Sequence, residues 1–486
     1  MISENIYLSG QFKKIDESCG IDTDTLMQSA VNALYNTIFS KERTHGKICI
    51  VCGKGNNGGD GYALACRLFR KNYNVDICAI EPPASPLAVK YYNEYKNMGG
   101  SFCDINNIVV DEQDTIVDCM FGFSFKGEIK GDYAKAVNII NSSQAFVIAA
   151  DLPSGLCADT DEVKSLAVKA DITCTFTAHK CATVSFPAKG LCGEVVVCDI
   201  GINTDTTKRF KPYATNNGKQ YIKSLPKRNA NSHKGCYGPL VALCGNEDMC
   251  GAAFLACNAA YRTGTGLVKL YTHKDGILPL KTMMPEVIIK EASDANAMLS
   301  EKAKALLIGC GCGRSYDGII TELLTHSNVP TVLDADGINC IAGNIELYKS
   351  VSCPLIVTPH PAEMSRLLSL SIEEINSSRI KYAKQFAMQY GFITVLKGSA
   401  SIVASPDGRL YINSTGNSGL AKGGSGDVLA GIIASLCAQG IEPFESAVLG
   451  VYLHGAAADR LLEIKGPYAL LPSELAEEAG KILYFG

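Results

Sequence analysis

The chain has 486 residues, too many for one ordinary core, so two or three domains are expected. Its 45 Lys and Arg against 49 Asp and Glu give a net charge of −4, which leaves no electrostatic case for nucleic acid or an anionic membrane. No apolar run reaches transmembrane length, and 47% hydrophobic residues with 46 glycines and no Trp fit a soluble, loop-rich α/β protein. The 21 cysteines lie mostly inside apolar runs such as 47–52 instead of in paired metal spacings. With no signal peptide read at Met1–Glu4, reduced buried thiols in a cytoplasmic protein are expected.

In chain order, short apolar strands alternate with helical patterns. The first half predicts strands at 47–52, 75–80, 115–117, 145–150 and 172–176, closing with the run 193–200. The first strand runs into Gly53-Lys54-Gly55-Asn56-Asn57-Gly58-Gly59-Asp60-Gly61, with a helix predicted from Tyr62. A strand, a glycine loop and a helix in that order bind phosphate at the first turn of a doubly wound sheet. Two more loops follow strand ends, at 118–127 and at Asp151-Leu152-Pro153-Ser154-Gly155. Residues 203–220, polar and poor in apolar side chains, read as the linker between domains at 1–212 and 221–486.

The second half restarts with a strand at 240–244, an Ala-rich segment at 251–261 and a strand at 266–271. Further strands are predicted at 305–308, 331–333, 355–357 and 393–396. Most strands in both halves are continuous apolar runs, which argues for parallel sheets covered on both faces. Near the end stands the glycine-rich stretch 415–431, whose backbone N–H groups can cup an anion at the start of a helix over 428–436. Asp427 either caps that helix or acts as a base toward a hydroxyl beside the phosphate.

The Asn56–Gly61 loop, the Phe121–Gly127 loop and Asp151–Gly155 together resemble the NAD(P)H-hydrate epimerases over roughly residues 1–210. Leu26-Met27-Gln28-Ser29-Ala30 is similar to that family's opening helix, with Gln28 where Glu is usual. The second half resembles the ADP- or ATP-dependent NAD(P)H-hydrate dehydratases, of the ribokinase-like fold. The matching residues include His233-Lys234-Gly235, Gly251-Ala252, Gly309–Gly313, Asp334-Ala335-Asp336, His360-Pro361-Ala362-Glu363, Leu396-Lys397-Gly398 and His454-Gly455. Cys310 and Cys312 replace a usual Pro and Leu, and Ala362 a usual Gly.

The resemblance implies a Rossmann-like epimerase domain followed by a ribokinase-like dehydratase domain. The first would interconvert the R and S forms of NADH-hydrate or NADPH-hydrate at C6. Asp151 is the candidate base there, with Asn56, Asn57, Gly58, Gly59 and Asp60, and Gly122, Phe123, Ser124, Phe125, Lys126, Gly127 and Glu128, lining the hydrate. A potassium ion would be held by Asn57, Asp118 and Ser154. The second domain would dehydrate the S form with ADP or ATP and Mg2+. Asp427 would be its base, Ala252, Gly311 and His360 would contact the hydrate, and Lys397, Gly398, Ser399, Ala400, Ser401 and Gly426 the nucleotide. A homo-oligomer is expected. The alternative reading makes the second half a kinase of a small vitamin-precursor alcohol and the first a nucleotide-binding module.

Overall fold

The computed structural model describes residues 3–108, 110–342 and 344–485. The chain separates into two compact units that meet between Thr215 and Asn216.

The first unit holds strands β1 (Ser3–Ile6), β2 (Ile48–Cys52), β3 (Val75–Ala79), β4 (Ser101–Phe102), β5 (Thr115–Cys119), β6 (Phe146–Ala150), β7 (Ile172–Phe176), β8 (Ala178–His179), β9 (Glu194–Cys198) and β10 (Ala214–Thr215). Seven of them form a sheet in the order β4-β3-β2-β5-β6-β7-β9, every pair parallel. Strands β2, β5 and β7 are buried along their whole length, as runs such as Ile48-Cys49-Ile50-Val51-Cys52 require when helices cover both faces. The order turns back on either side of β2, so the carboxyl ends of β2 and β5 flank the crevice where such sheets receive ligands.

The helix after β2 begins at Asn56 and runs to Phe69, six residues earlier than its sequence suggests. Glycine lowers helix propensity, which placed Gly58, Gly59 and Gly61 in a loop. Their role is close packing. A Cβ on Gly58 would stand 1.9 Å from the Gly53 carbonyl oxygen, and one on Gly61 would stand 2.6 Å from Cys52 Sγ. The stretch 203–220 is likewise not a free linker. It carries the helix Thr204–Thr207, the strand β10 paired with β1, and a 3-10 turn at Lys219–Ser224. Thr206 and Thr207 are buried, and the Thr207 carbonyl accepts a hydrogen bond from Tyr7 Oη at 3.2 Å.

The second unit adds β11 (Pro239–Leu243), β12 (Leu267–Thr272), β13 (Ile288–Glu291), β14 (Ala305–Ile308), β15 (Thr331–Leu333), β16 (Leu355–Val357), β17 (Ile393–Leu396), β18 (Ile402–Ala404) and β19 (Leu410–Ile412). Their order is β13-β12-β11-β14-β15-β16-β17-β18-β19, parallel from β13 to β17 and antiparallel for the last two pairs. No helix among the described residues is long and apolar enough to cross a membrane.

The glycine-rich stretch leads into the helix Ser425–Ala438, which is buried from Val428 to Ala438. Gly424 precedes it at φ 94°, a left-handed conformation that suits glycine. Gly431 lets this helix cross Cys250–Arg262 at close range, since a Cβ there would stand 2.1 Å from the Ala256 carbonyl oxygen. Gly431→Ala is therefore expected to destabilise the second unit by about 1–3 kcal/mol through overpacking. A lowered unfolding midpoint for that unit in denaturant titration is the readout.

Candidate active sites

In the first unit the carboxyl ends of β2, β5, β6 and β7 open into one cavity of about 540 Å³. Asn56, Asn57, Asp60, Gly122, Phe123, Ser124, Phe125, Lys126 and Asp151 all line it. Gly58, Gly59, Gly127 and Glu128 do not. Gly58 faces the Gly53 backbone and Gly59 the Met27 side chain, whose Cε lies 2.6 Å from a Cβ position on it, and Gly127 and Glu128 are exposed.

Asp151 follows β6 at φ 69°, a left-handed conformation that is strained for a non-glycine residue. Its carboxylate is over-determined by donors. Oδ1 accepts from Lys180 Nζ at 2.6 Å and from the Phe176 N–H at 3.3 Å, and Oδ2 accepts from the Phe123 N–H at 2.8 Å. Lys180 is 1% exposed and also donates to Thr175 Oγ1 and the Phe176 carbonyl, each at 2.9 Å. A lysine so deep in a protein is held by its partners, because an isolated buried ammonium is too costly. The Phe123 bond also ties the 121–127 loop to β6.

Asp118 and Ser154 lie beneath the cavity. Ser154 gives its hydroxyl to Asp118 Oδ1 at 2.6 Å and its N–H to Oδ2 at 2.8 Å, and its oxygen accepts the Phe121 N–H at 2.9 Å. Asp118 is fully buried and meets only neutral donors, so burial pushes its carboxyl up to about 6 against those hydrogen bonds. Asn57 Nδ2 is buried without a hydrogen-bond partner among the described residues. Burial also drives Asp60 well above the usual range, with Asp151 adding to the effect.

The second site gathers at the ends of β14, β15 and β17. Asp334 ends β15 and is 2% exposed; its Oδ1 accepts from Lys397 Nζ and from Thr358 Oγ1, both at 2.6 Å. Asp427 stands in the first turn of Ser425–Ala438 without capping the helix. The Asp427 and Asp334 carboxylates and Cys310 Sγ lie within 4.8 Å of one another. Burial, with Asp334 next, lifts the Asp427 carboxyl to about 7, while Cys310 and Lys397 oppose the shift. Lys397 is held charged: burial pulls it down, but Asp334 and Glu363 outweigh that. A Cβ on Gly426 would stand 3.3 Å from Lys397 Nζ, so only glycine leaves that approach open.

His360 starts the helix Pro361–Leu368. Its Nδ1 accepts the N–H groups of Ala362 and Glu363 at 3.1 and 3.2 Å, while Glu363 Oε2 accepts the His360 N–H at 2.8 Å. Burial and then the Lys397 charge lower the imidazole below its ordinary range. Gly311 and Ala252 are neighbours, a Cβ on the glycine falling 2.8 Å from that of Ala252. Lys397, Gly398, Ser399, Ala400 and Ser401 form the turn after β17, with Gly398 at φ 149° and Ala400 at φ 56°. Ser401 Oγ closes the turn on the Gly398 carbonyl at 3.0 Å.

Sequence reasoning missed three charged residues at these sites: Lys180, Asp16 and Arg379. Asp16 lines the first cavity from the helix Ser9–Ser18. Arg379 is 4% exposed and its guanidinium donates to the carbonyls of Leu396, Lys397 and Ser399, binding the 397–401 turn from beneath. The dipeptide His179-Lys180 at the end of a strand was the only signal available for Lys180; Arg379 carried none.

A family profile described as "YjeF-related protein N-terminus" matches residues 23–182, and one described as "NAD(P)H-hydrate dehydratase" matches 240–481. The chain is 35% identical to the bifunctional NAD(P)H-hydrate repair enzyme of Moorella thermoacetica, covering 94% of this chain and 92% of that one. It is 33% identical to the enzyme of the same description from Vibrio cholerae, covering 99% and 98%. Among solved structures it resembles the ADP/ATP-dependent NAD(P)H-hydrate dehydratase of Bacillus subtilis, co-crystallised with ATP and Mg2+. That match has a TM-score of 0.51 at 33% identity and covers 55% of this chain and 96% of that one.

Replacing Arg379 with Met removes the shared donor of three carbonyls, of which that of Leu396 is buried. The expected loss is about 1–3 kcal/mol of stability in the second unit, together with a raised KM for nucleotide. Thermal unfolding and nucleotide titration check the two effects.

Proposed function

Because this chain belongs to the bifunctional NAD(P)H-hydrate repair enzymes, we propose how its two activities divide between the two sites. The first unit epimerises the hydrate at C6, and the second dehydrates the S form to NAD(P)H at the expense of ADP or ATP. The observation that carries the reading is Asp427, poised near neutrality in the first turn of a helix that begins on glycine. Hydroxide is a poor leaving group, and a phosphorylated hydroxyl is a good one. Asp427 takes the hydroxyl proton as its oxygen attacks the terminal phosphoryl group, and the ring nitrogen then expels phosphate. The N–H groups around Gly424 to Gly426 and the ammonium of Lys397 hold the charge that develops. Ala252, Gly311 and His360 would bound the hydrate, and Lys397 to Ser401 the nucleotide.

Magnesium would be carried by the nucleotide phosphates, and Asp334, whose carboxylate lies within 4.8 Å of Asp427 and Cys310, would be the acidic group beside it while Asp427 stays free as the base. Bound there, the ion would neutralise phosphate charge during transfer.

In the first unit Asp151 is the base toward the C6 hydroxyl, with Asn56, Asn57, Asp60 and the 122–126 loop against the hydrate. A potassium ion held by Asn57, Asp118 and Ser154 fits the donors present. Asp118 is a buried carboxylate that no cation neutralises among the described residues, and Asn57 would turn its amide oxygen, not its unpaired Nδ2 donor, to the ion. Oxygen donors with one formal charge suit a large monovalent ion better than magnesium. The ion would fix the 118–122 and 151–155 loops.

Three outcomes test these assignments. Asp427→Ala should lower nucleotide-dependent dehydration about 10²–10⁴-fold and leave epimerisation unchanged. In the unaltered protein dehydration should rise with pH through about 7, as Asp427 loses its proton, when initial rates are followed by NADH absorbance. Exchanging potassium for tetramethylammonium should slow R-to-S conversion and leave dehydration of the S form unchanged; equal epimerisation rates in the two salts count against the ion.

A further inference from the structure

We infer that Asp16 is a second proton-transfer group of the first site, partnering Asp151 in the inversion at C6. The inference rests on the epimerase reading of that site. Asp16 sits on the helix Ser9–Ser18, one turn after Phe12, and both side chains line the cavity with Asp151 and Lys180. The Phe12 ring lies 4.5 Å from Lys180 Nζ and 5.6 Å from the Phe123 ring, so the helix is seated against the Asp151–Lys180 pair and the loop that Asp151 holds. Asp16 and Asp151 thus reach one cavity from separate elements. The charged groups facing Asp16 are Asp151 and Lys180, with Glu17 on its own helix, while Asp60, Lys54 and Lys126 stand elsewhere on the lining. The Asp16 carboxyl makes no hydrogen bond or ion pair among the described residues.

The chemistry calls for two such groups. The R and S hydrates present the C6 hydroxyl on opposite faces of the ring, and one fixed carboxylate reaches one face. The reaction is reversible, so the hydroxyl must exchange its proton on both. In the R-to-S direction Asp151 takes the hydroxyl proton, the C6–N1 bond breaks with its electron pair going to N1, and C6 becomes an aldehyde. Rotation about C5–C6 turns the other face of the carbonyl to N1. The N1 pair re-forms the bond, and the new alkoxide takes the proton of Asp16. The S-to-R direction runs the same steps with the carboxyls exchanged, and no other reactant is consumed.

The electrostatics agree. Burial lifts the Asp16 carboxyl to about 6; Asp151 adds to the shift, Lys180 opposes it and Glu17 adds again. Asp16 therefore holds its proton where an ordinary aspartate has lost it.

The test separates the epimers of NADH-hydrate chromatographically and follows R-to-S conversion by the full chain above the buffer rate. Asp16→Asn should lower kcat about 10²-fold or more with little change in KM, and should abolish the loss of kcat/KM that the unaltered protein shows as pH rises through about 6. Asp16→Glu keeps the carboxyl and should recover at least a tenth of the rate, which a misfolded or merely loosened site would not allow. Wild-type kcat and pH profile in Asp16→Asn, or a loss confined to KM, overturns the role of Asp16. If Asp151→Asn is then still inactive, the epimerase reading stands without it. Failure of the unaltered chain to convert the R form overturns that reading itself.

Discussion

Both sites are governed by a deficit of buried positive charge. In the first, Lys180 faces Asp16 and Asp151, with Asp60 beyond Asp151; in the second, Lys397 faces Asp334, Glu363 and Asp427. Each lysine bonds most closely to one aspartate, at 2.6 Å, and the other carboxyls remain in a poorly solvating interior. Burial then raises them: Asp16 to about 6, Glu363 and Asp427 to about 7, and Asp60 well above its ordinary range. A carboxyl that can exchange a proton near neutral pH follows from that arithmetic of charge, with no special ligand needed.

Such groups can be kept inside because the parallel sheet supplies fixed partners. Every acidic residue named above except Asp16 stands at a strand end or in a helix's first two turns, where backbone N–H groups are free to donate. The Phe123 and Phe176 N–H groups meet Asp151, and Met120 and Ser154 meet Asp118. The order of strands brings these ends together at one edge, with β2 beside β5 in the first unit and β11 beside β14 in the second. Rigid strands beneath the site keep the distances short without side-chain entropy loss at each turnover.

That arrangement explains what could be read from the sequence. Asp151, Asp118 and Asp427 were legible because each stands where an apolar run meets Pro, Gly or Ser, a pattern that betrays a strand end or helix start. The glycines were legible as a group but partly misread: Gly58 and Gly61 serve helix–sheet packing, a long-range fact that no local pattern carries. Lys180 and Arg379 were illegible for a related reason. A buried cation looks like a solvated one until the partners that hold it are known, and those partners are backbone carbonyls and a carboxylate from other segments. Asp16 sits among Lys13, Lys14 and Glu17, which reads as the wet face of a helix. The antiparallel pair β18–β19 escaped notice because each strand is only three residues long.

The cysteines complete the electrostatic picture. Cys52 and Cys119 sit against Asp60 and Asp118, and burial together with those carboxylates drives both thiols far up. Cys310 is raised by a hydrogen bond with Cys244 and by burial, then by Asp427 and Asp334. A thiolate beside a buried carboxylate would add to a negative charge already in excess, so these groups stay as neutral S–H and are poor nucleophiles. Neutral, they are still useful. The Cys310 thiol lowers the Asp427 carboxyl against the pull of burial, as a weak donor can and the Pro usual at that position in the resembled family could not. A chain that fills the floor of its sites with cysteine thereby gains small apolar volume and a soft hydrogen-bond donor without changing the charge on which the proton chemistry depends.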